Sequence, residues 1–102
     1  MKLQIHSIHF DADQKLLDYI QKKVDKLHKF YDRITDGEVF LKLDKGDKVD
    51  NKVVEIKVNV PGSSLFVKAQ SKSFEAAADE SADALEIQIK KFKEKSITTH
   101  TV

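Results

Sequence analysis

A long amphipathic segment near the N-terminus, Asp13 to Ile34, most restricts what this chain can fold into. Its apolar side chains recur at helical spacing and fall within an arc of roughly 100°, the width of a core-facing stripe. They are Leu16, Leu17, Ile20, Val24, Leu27 and Tyr31. Asp13 is the expected N-cap, because its carboxylate can accept backbone N–H bonds. We expect the helix to end near Tyr31 to Ile34, with Asp36-Gly37 as its exit turn. A helix with one apolar face needs a sheet or another helix to cover that face.

Four further segments alternate apolar and polar residues, as strands with one buried face do. The first begins at Leu3 and loses its alternation near Ser7, where we expect a bulge or the end of the strand. The other three strands are expected over Glu38–Asp44, Asn51–Val60 and Leu65–Ser71. We expect a hairpin loop at Lys45–Asp50 and a turn at Pro61-Gly62-Ser63-Ser64, since polar residues, proline and glycine favour such connections.

A second helix is expected after Ser73, which is placed to cap it. Its core stripe consists of Phe74, Ala78, Ala82, Leu85, Ile89 and Phe92. A crossover helix favours a parallel, right-handed connection of the first two strands, and short loops favour antiparallel pairing of the others. We therefore predict one α+β domain over residues 1–95, of order β-α-β-β-β-α, with both helices packed on one face of a four-stranded sheet. A flexible C-terminal tail is expected over residues 96–102.

Composition excludes several classes of protein and of chemistry. With 102 residues, 40% of them hydrophobic, the chain is long enough for one core and too apolar for a disordered protein. The absence of cysteine excludes disulfides, thiolate metal ligands and cysteine nucleophiles. The N-terminus lacks an apolar run like that of a signal peptide, and no segment approaches the roughly 20 apolar residues of a membrane span. We expect a cytoplasmic protein without membrane association.

Residue types that carry catalysis or bind metals show no converging arrangement. The four histidines are His6, His9, His28 and His100. We expect them to be isolated, with His6 and His9 on opposite faces of a strand. The three glycines are single turn residues rather than a phosphate-binding loop, and Ser63 and Ser64 lack a nucleophile-elbow motif. The sequence thus predicts neither an enzyme nor a metal or cofactor site.

Charge is sorted along the first helix, although the whole chain carries 18 basic and 17 acidic side chains. A stripe within an arc of roughly 60° consists of Lys15, Lys22, Lys26 and Lys29. Such a stripe can meet a row of phosphates, but it is also typical of a solvated helix face, and composition leaves both interpretations open. The second helix ends in Lys90, Lys91, Lys93 and Lys95. Taken alone, these lysines are better explained by the helix dipole.

An alternative function rests on the sheet face that the helices leave open. Phe40 and Phe66 are expected to be exposed on that face, where aromatic rings can stack on RNA bases or form an apolar contact. The alternative is a non-enzymatic protein–protein interaction module that dimerises through its open sheet face. It predicts salt-insensitive self-association and no RNA binding.

Four segments resemble a known family: MKLQIHSIHF, DKLHKFYDRI, VFLKLDK and SFEAAADESADALEIQIKKFKEK. Their order and spacing resemble those of the ribosome hibernation promoting factors, also called ribosome-associated inhibitor or protein Y, in the short form that lacks a second domain. The resemblance implies the β-α-β-β-β-α fold. It also implies a stress-response regulator of translation that binds the small ribosomal subunit in the channel for mRNA and tRNA. There it excludes both RNAs and silences ribosomes in stationary phase or starvation.

The resemblance further implies which residues contact ribosomal RNA. Matching basic positions of the family are Lys23, Lys26, Lys29, Lys91, Lys93 and Lys95. Lys22, Lys90 and Arg33 are added as neighbours from their charge alone. Ala84 and Ile87 occupy positions that are basic in many members, which shifts the expected RNA contact toward the first helix. We expect a monomer when the protein is free, and no small-molecule substrate.

Overall fold

The computed structural model describes residues 2–8, 10–44, 46 and 49–101, with residues 95–101 described by their backbone alone. The elements are β1 (Lys2–Ser7), α1 (Gln14–Phe30), β2 (Asp36–Leu43), β3 (Lys52–Val60), β4 (Ser63–Ser71) and α2 (Phe74–Thr101). This is the predicted order. Within the described part of the chain, no helix combines the length and apolarity needed to cross a membrane.

The four strands form one sheet in the order β1-β2-β3-β4. β1 pairs in parallel with β2, as a crossover through α1 favours, and places Ile5 beside Val39. The remaining pairs are antiparallel, with Val39 beside Ile56 and Ile56 beside Val67. These side chains form one row across the covered face of the sheet. The predicted α+β architecture is confirmed.

The core lies between the sheet and the two helices, which cover the same face. Its helical members include Leu16, Ile20, Val24, Leu27, Phe74, Ala78, Ala82, Leu85 and Ile89. Ala77 and Ser81 are fully buried as well, so the stripe of α2 is wider than predicted. The Ser81 hydroxyl donates to the Ala78 carbonyl at 3.0 Å, which satisfies a polar group inside the core. Phe10 stacks on Phe74 with ring centroids 4.8 Å apart, and this contact holds the segment after β1 against the start of α2.

The ends of α1 follow from its caps. Asp13 Oδ1 accepts the backbone N–H of Leu16 at 2.9 Å, which confirms the predicted N-cap. The last helical residue is Phe30, and Tyr31 adopts an extended conformation as the C-cap. The helix therefore ends at the near edge of the predicted interval.

Asp36 and Gly37 belong to β2, so their prediction as an exit turn was wrong. The Asp36 carboxylate accepts a hydrogen bond from the Asn59 side chain of β3 at 2.8 Å. A Cβ atom on Gly37 would lie 3.3 Å from Leu3 Cδ1 and equally close to Val58 Cγ1. The absence of a side chain at Gly37 therefore lets the side chains of the two neighbouring strands approach closely, and the glycine does not reverse the chain.

The turn between β3 and β4 is shorter than predicted. Pro61 and Gly62 form the connection, whereas Ser63 and Ser64 belong to β4, where Ser63 pairs with Val60. Gly62 has φ 79°, the positive φ that a type II turn requires at its third residue, and proline is common at the second. The serines therefore continue the strand, and their prediction as turn residues was wrong.

The backbone of α2 is helical to Thr101, whereas the sequence predicts a tail from residue 96 onward. A helix continues through polar residues as long as each N–H finds a carbonyl four residues earlier, with or without a core to cover. The domain boundary at residue 95 stays a prediction. His9 and the side chain of His100 lie outside the described residues.

Candidate nucleic-acid interface

The helices α1 and α2 lie side by side and run in the same direction. Tyr19, in the first half of α1, contacts Asp79, which is near the start of α2. Tyr31, at the end of α1, packs edge-on against Phe92 with ring centroids 6.0 Å apart. The N-terminal halves of the helices therefore face each other, and so do the lysine-rich C-terminal halves.

Three lysines of α1 form an exposed row, Lys22, Lys26 and Lys29. They line a shallow groove of about 430 Å³ together with Asp25 and His28. Among the described residues, the ion pairs join other side chains and leave these three ammonium groups unpaired. Three ammonium groups against one carboxylate give the groove a positive potential at neutral pH.

The ends of α1 and α2 meet at an exposed aromatic ring. Phe30 is 37% exposed, and the Nζ atoms of Lys93 and Lys90 lie 4.6 and 5.8 Å from its ring centroid. An ammonium group within about 6 Å is attracted to the negative face of such a ring. These three residues and Glu94 line a cleft of about 170 Å³. Lys26 lies one turn before Phe30 on the same flank of α1, so the two sets of lysines share one surface.

We call this surface the basic patch; it consists of Lys22, Lys26, Lys29, Lys90 and Lys93. The sequence shows its members as two separate groups, which share one surface only if the helices lie side by side on one sheet. The sequence also shows Phe30 only as a margin of the α1 core. Its contact with Lys90 and Lys93 becomes visible when α2 is placed beside α1.

The N-terminal halves are joined by a cluster that we call the interhelical clamp, formed by Tyr19, Lys23 and Asp79. The Tyr19 hydroxyl donates to Asp79 Oδ1 at 2.6 Å, and Lys23 Nζ lies 2.9 Å from the same oxygen. Lys23 Nζ also lies 5.6 Å from the centroid of the Tyr19 ring. The hydrogen bonds from Tyr19 and then Lys23 lower the pKa of the Asp79 carboxyl, and the bond to Asp79 raises the pKa of Lys23. Lys23 is thus a partner of Asp79 rather than a member of the exposed row.

Three further predicted contact residues, Lys91, Arg33 and Lys95, are not members of the basic patch. Lys91 is exposed but stands two positions before Lys93, roughly 160° away around the helix and away from α1. Arg33 is exposed in the turn after α1. Lys15, a member of the predicted lysine stripe but not of the predicted contacts, is exposed at the opposite end of α1 from the patch. The side chain of Lys95 lies outside the described residues. The structure therefore brings together five of the nine predicted contact residues.

The middle of α2 adds no positive charge to this surface. Ala84 is partly buried, and Ile87 is 55% exposed. Acidic side chains dominate α2 before Ala84, and lysines dominate from Lys90 onward. Charge along the helix pair therefore changes sign, and the positive end coincides with the end of the α1 row.

The open face of the sheet carries two aromatic rings that do not meet. Phe66 is 50% exposed, whereas Phe40 is partly buried because the His6 ring stacks on it with centroids 5.0 Å apart. The prediction of an exposed Phe40 was therefore wrong. Glu55 and Lys57 of β3 lie between the strands that carry the two rings. Charged side chains thus interrupt the apolar contact that the dimer alternative needs.

The described residues contain no group of three or more histidine, aspartate or glutamate side chains placed to hold a metal ion. His6 Nε2 lies 3.3 Å from Glu38 Oε2 on the open sheet face. His28 lies beside the α1 groove. These two histidines are on different sides of the domain, and the basic patch is the surface with the clearest chemistry.

Comparison with known proteins identifies one family. The family model described as "Sigma 54 modulation protein / S30EA ribosomal protein" matches residues 3–97. The chain is 34% identical over 95 residues to the ribosome hibernation promoting factor of Pseudomonas putida, covering 93% of this chain and 89% of that protein. It is 30% identical over 91 residues to the ribosome hibernation promotion factor of Deinococcus radiodurans, covering 88% of this chain and 48% of that protein.

Two solved structures share the fold. The ribosomal subunit interface protein from Coxiella burnetii superposes with a TM-score of 0.83 at 24% identity, covering 92% of this chain and 99% of that one. The N-terminal domain of Protein Y from Thermus thermophilus gives a TM-score of 0.77 at 28% identity, covering 90% of this chain and 99% of that one. Both support the arrangement of four strands and two helices described above.

Proposed function

This chain belongs to the sigma 54 modulation protein / S30EA ribosomal protein family, and from that membership we propose that it binds the small ribosomal subunit in the decoding channel and excludes mRNA and tRNA. The curated relatives named above are ribosome hibernation factors, which supports a ribosome-associated hibernation function. The protein acts by occupancy rather than by catalysis, in the cytoplasm of starved or stationary cells. The observation that carries this proposal is the basic patch.

The basic patch suits an RNA surface for an electrostatic reason. Five ammonium groups from two parallel helices lie on one surface, and each that meets a phosphate releases a condensed counterion. Phosphate contacts fix the register and orientation of a protein on nucleic acid without reading its sequence. In our proposal α1 follows one run of phosphates, and Lys90 and Lys93 of α2 contact a neighbouring run. Lys91 and Arg33 remain predicted contacts that are not part of this patch, and Lys95, whose side chain lies outside the described residues, remains a predicted contact as well.

Cosedimentation with purified small subunits at low salt tests the proposal. The wild-type protein is expected to pellet with the subunits and to displace a labelled mRNA fragment from them. Reversing two patch charges, Lys26→Glu with Lys29→Glu, is expected to release it. The matched control reverses two exposed lysines of the open sheet face, Lys57→Glu with Lys68→Glu, and has the same net charge.

Two outcomes would contradict the proposal. A wild-type protein that stays in the supernatant at low salt does not bind the subunit. Equal release of both double variants would mean that net charge, rather than the basic patch, decides binding. A salt-insensitive dimer in light-scattering measurements, together with absent RNA binding, would instead favour the interaction module that dimerises through its sheet.

A further inference from the structure

The exposed lysine row of α1 omits Lys23, although Lys23 directly follows Lys22 in the sequence. Lys22 and Lys26 are exposed and unpaired among the described residues, whereas the Lys23 ammonium group contacts Asp79 Oδ1 at 2.9 Å. One third of the Lys23 side chain, 33%, remains accessible, so a modest rotation would bring it to the surface. What holds its ammonium group away from the exposed row is its acidic partner on α2.

We propose that Asp79 is a specificity-determining residue that withholds Lys23 from RNA phosphates and so confines phosphate binding to the basic patch. The proposal deepens the proposed function, since it concerns the same RNA-binding surface. Its physical basis is an exchange of anions. A phosphate that recruited Lys23 would replace the Asp79 carboxylate as its partner and leave that carboxylate facing the RNA without its counter-charge.

The geometry of the interhelical clamp makes this exchange unfavourable. One carboxylate oxygen accepts from the Tyr19 hydroxyl at 2.6 Å and contacts Lys23 at 2.9 Å, and the Tyr19 ring lies beneath the ammonium group. Leaving the clamp would cost Lys23 both an ion pair and a cation–π contact. Asp79 is ionised near neutral pH, as an ordinary aspartate is, and its lowered pKa extends the ionised range further toward acid.

Withholding one lysine can improve discrimination between RNAs. An unpaired ammonium group next to the row would add attraction to any RNA, because counterion release is independent of sequence and shape. Specificity depends on the difference between the right and the wrong partner, and removing indiscriminate attraction increases that difference. Asp79 would therefore favour ligands whose phosphates match the basic patch.

The test compares charge variants on a fluorescent single-stranded uridine oligonucleotide and on small subunits, with affinity measured against salt. Asp79→Asn keeps an oxygen for Tyr19 but frees Lys23. It is expected to bind the oligonucleotide several-fold more tightly at about 50 mM salt. Its slope, the fall of the logarithm of the association constant with the logarithm of salt concentration, is expected to be steeper by about 0.7 than that of the wild-type protein. The double variant Lys23→Met with Asp79→Asn is expected to return to the wild-type slope. Glu80→Gln is the control, because it removes an exposed carboxylate from the same turn of α2.

The opposite pattern overturns the assignment. If Lys23 contacts RNA in the wild-type protein, the salt slope of the double variant is shallower than the wild-type slope by about 0.7, and the slope of Asp79→Asn is no steeper than the wild-type slope. A salt slope for Glu80→Gln that steepens as much as that of Asp79→Asn would also refute the assignment. Loss of any negative charge from this turn of α2 would then explain the tighter binding. Wild-type binding to the oligonucleotide without binding to small subunits contradicts the proposed function, whereas the comparison of the variants still decides the role of Asp79.

A second measurement does not depend on RNA. Acylation of lysines by a succinimidyl ester, followed by mass spectrometry, is expected to modify Lys23 several-fold more slowly than Lys22 in the wild-type protein. In Asp79→Asn the two rates are expected to become similar, while thermal denaturation shows that the variant is folded. Equal rates in the wild-type protein would overturn the proposal.

Discussion

Removing one lysine of the basic patch should remove one phosphate contact from RNA binding. For a single-stranded ligand the logarithm of the association constant falls with the logarithm of salt concentration by about 0.7 per phosphate neutralised. Five patch lysines therefore give a slope of about −3.5, so that raising salt from about 50 to about 200 mM weakens binding roughly 100-fold. For Lys93→Met four contacts remain, and we expect a slope of about −2.8 and a loss of roughly 50-fold over the same range.

Fluorescence anisotropy with the labelled uridine oligonucleotide measures these slopes directly. The matched control is Lys68→Met, which removes an exposed lysine from β4 on the face of the sheet opposite the helices. Its slope should equal that of the wild-type protein. The reasoning is refuted if Lys68→Met lowers the slope as much as Lys93→Met does, or if wild-type affinity does not depend on salt.

Three further predictions concern single residues. Phe30→Leu should weaken oligonucleotide binding a few-fold in the anisotropy assay while Phe30→Trp retains it, because only an aromatic ring attracts the ammonium groups of Lys90 and Lys93. Equal affinities of the two variants would show that the ring contributes packing alone. The pKa of Asp79 is lowered in the folded protein, so its contribution to stability is present above its ordinary pKa and is lost as pH falls through the folded value. In thermal denaturation, the melting temperature of the wild-type protein should therefore fall more on acidification than that of Asp79→Asn. Parallel curves of melting temperature against pH would contradict this. Gly37→Ala should lower the free energy of unfolding in urea by about 1–3 kcal/mol, because its Cβ would crowd the neighbouring strands. For Gly46→Ala the free energy of unfolding should change by no more than about 0.5 kcal/mol. Equal losses of stability in the two variants would contradict the packing explanation.

Local patterns predicted the elements well and their ends less well. The alternation of the strands and the helical stripes depend on which face of each element is buried, which a sequence records residue by residue. Asp36-Gly37 and Ser63-Ser64 were assigned to turns because their residue types favour turns. Both pairs lie in strands because neighbouring strands offer them backbone partners. Turn propensity is a local preference, and strand pairing outweighs it.

The sequence by itself determined the fold class, which follows from the order of the elements and the length of their connections. It also determined the core stripes and the solvent-facing lysine row of α1, which follow from spacing within single elements. Only the tertiary structure decided which lysines share a surface. Packing both helices in parallel on one face of the sheet brought Lys90 and Lys93 to Phe30, and it set Lys23 against Asp79. These contacts join residues far apart in the chain, so the periodicity of either helix alone contains no record of them. The physical reason is that periodicity fixes which face of a helix is buried, whereas the flank that meets a neighbour depends on where that neighbour packs.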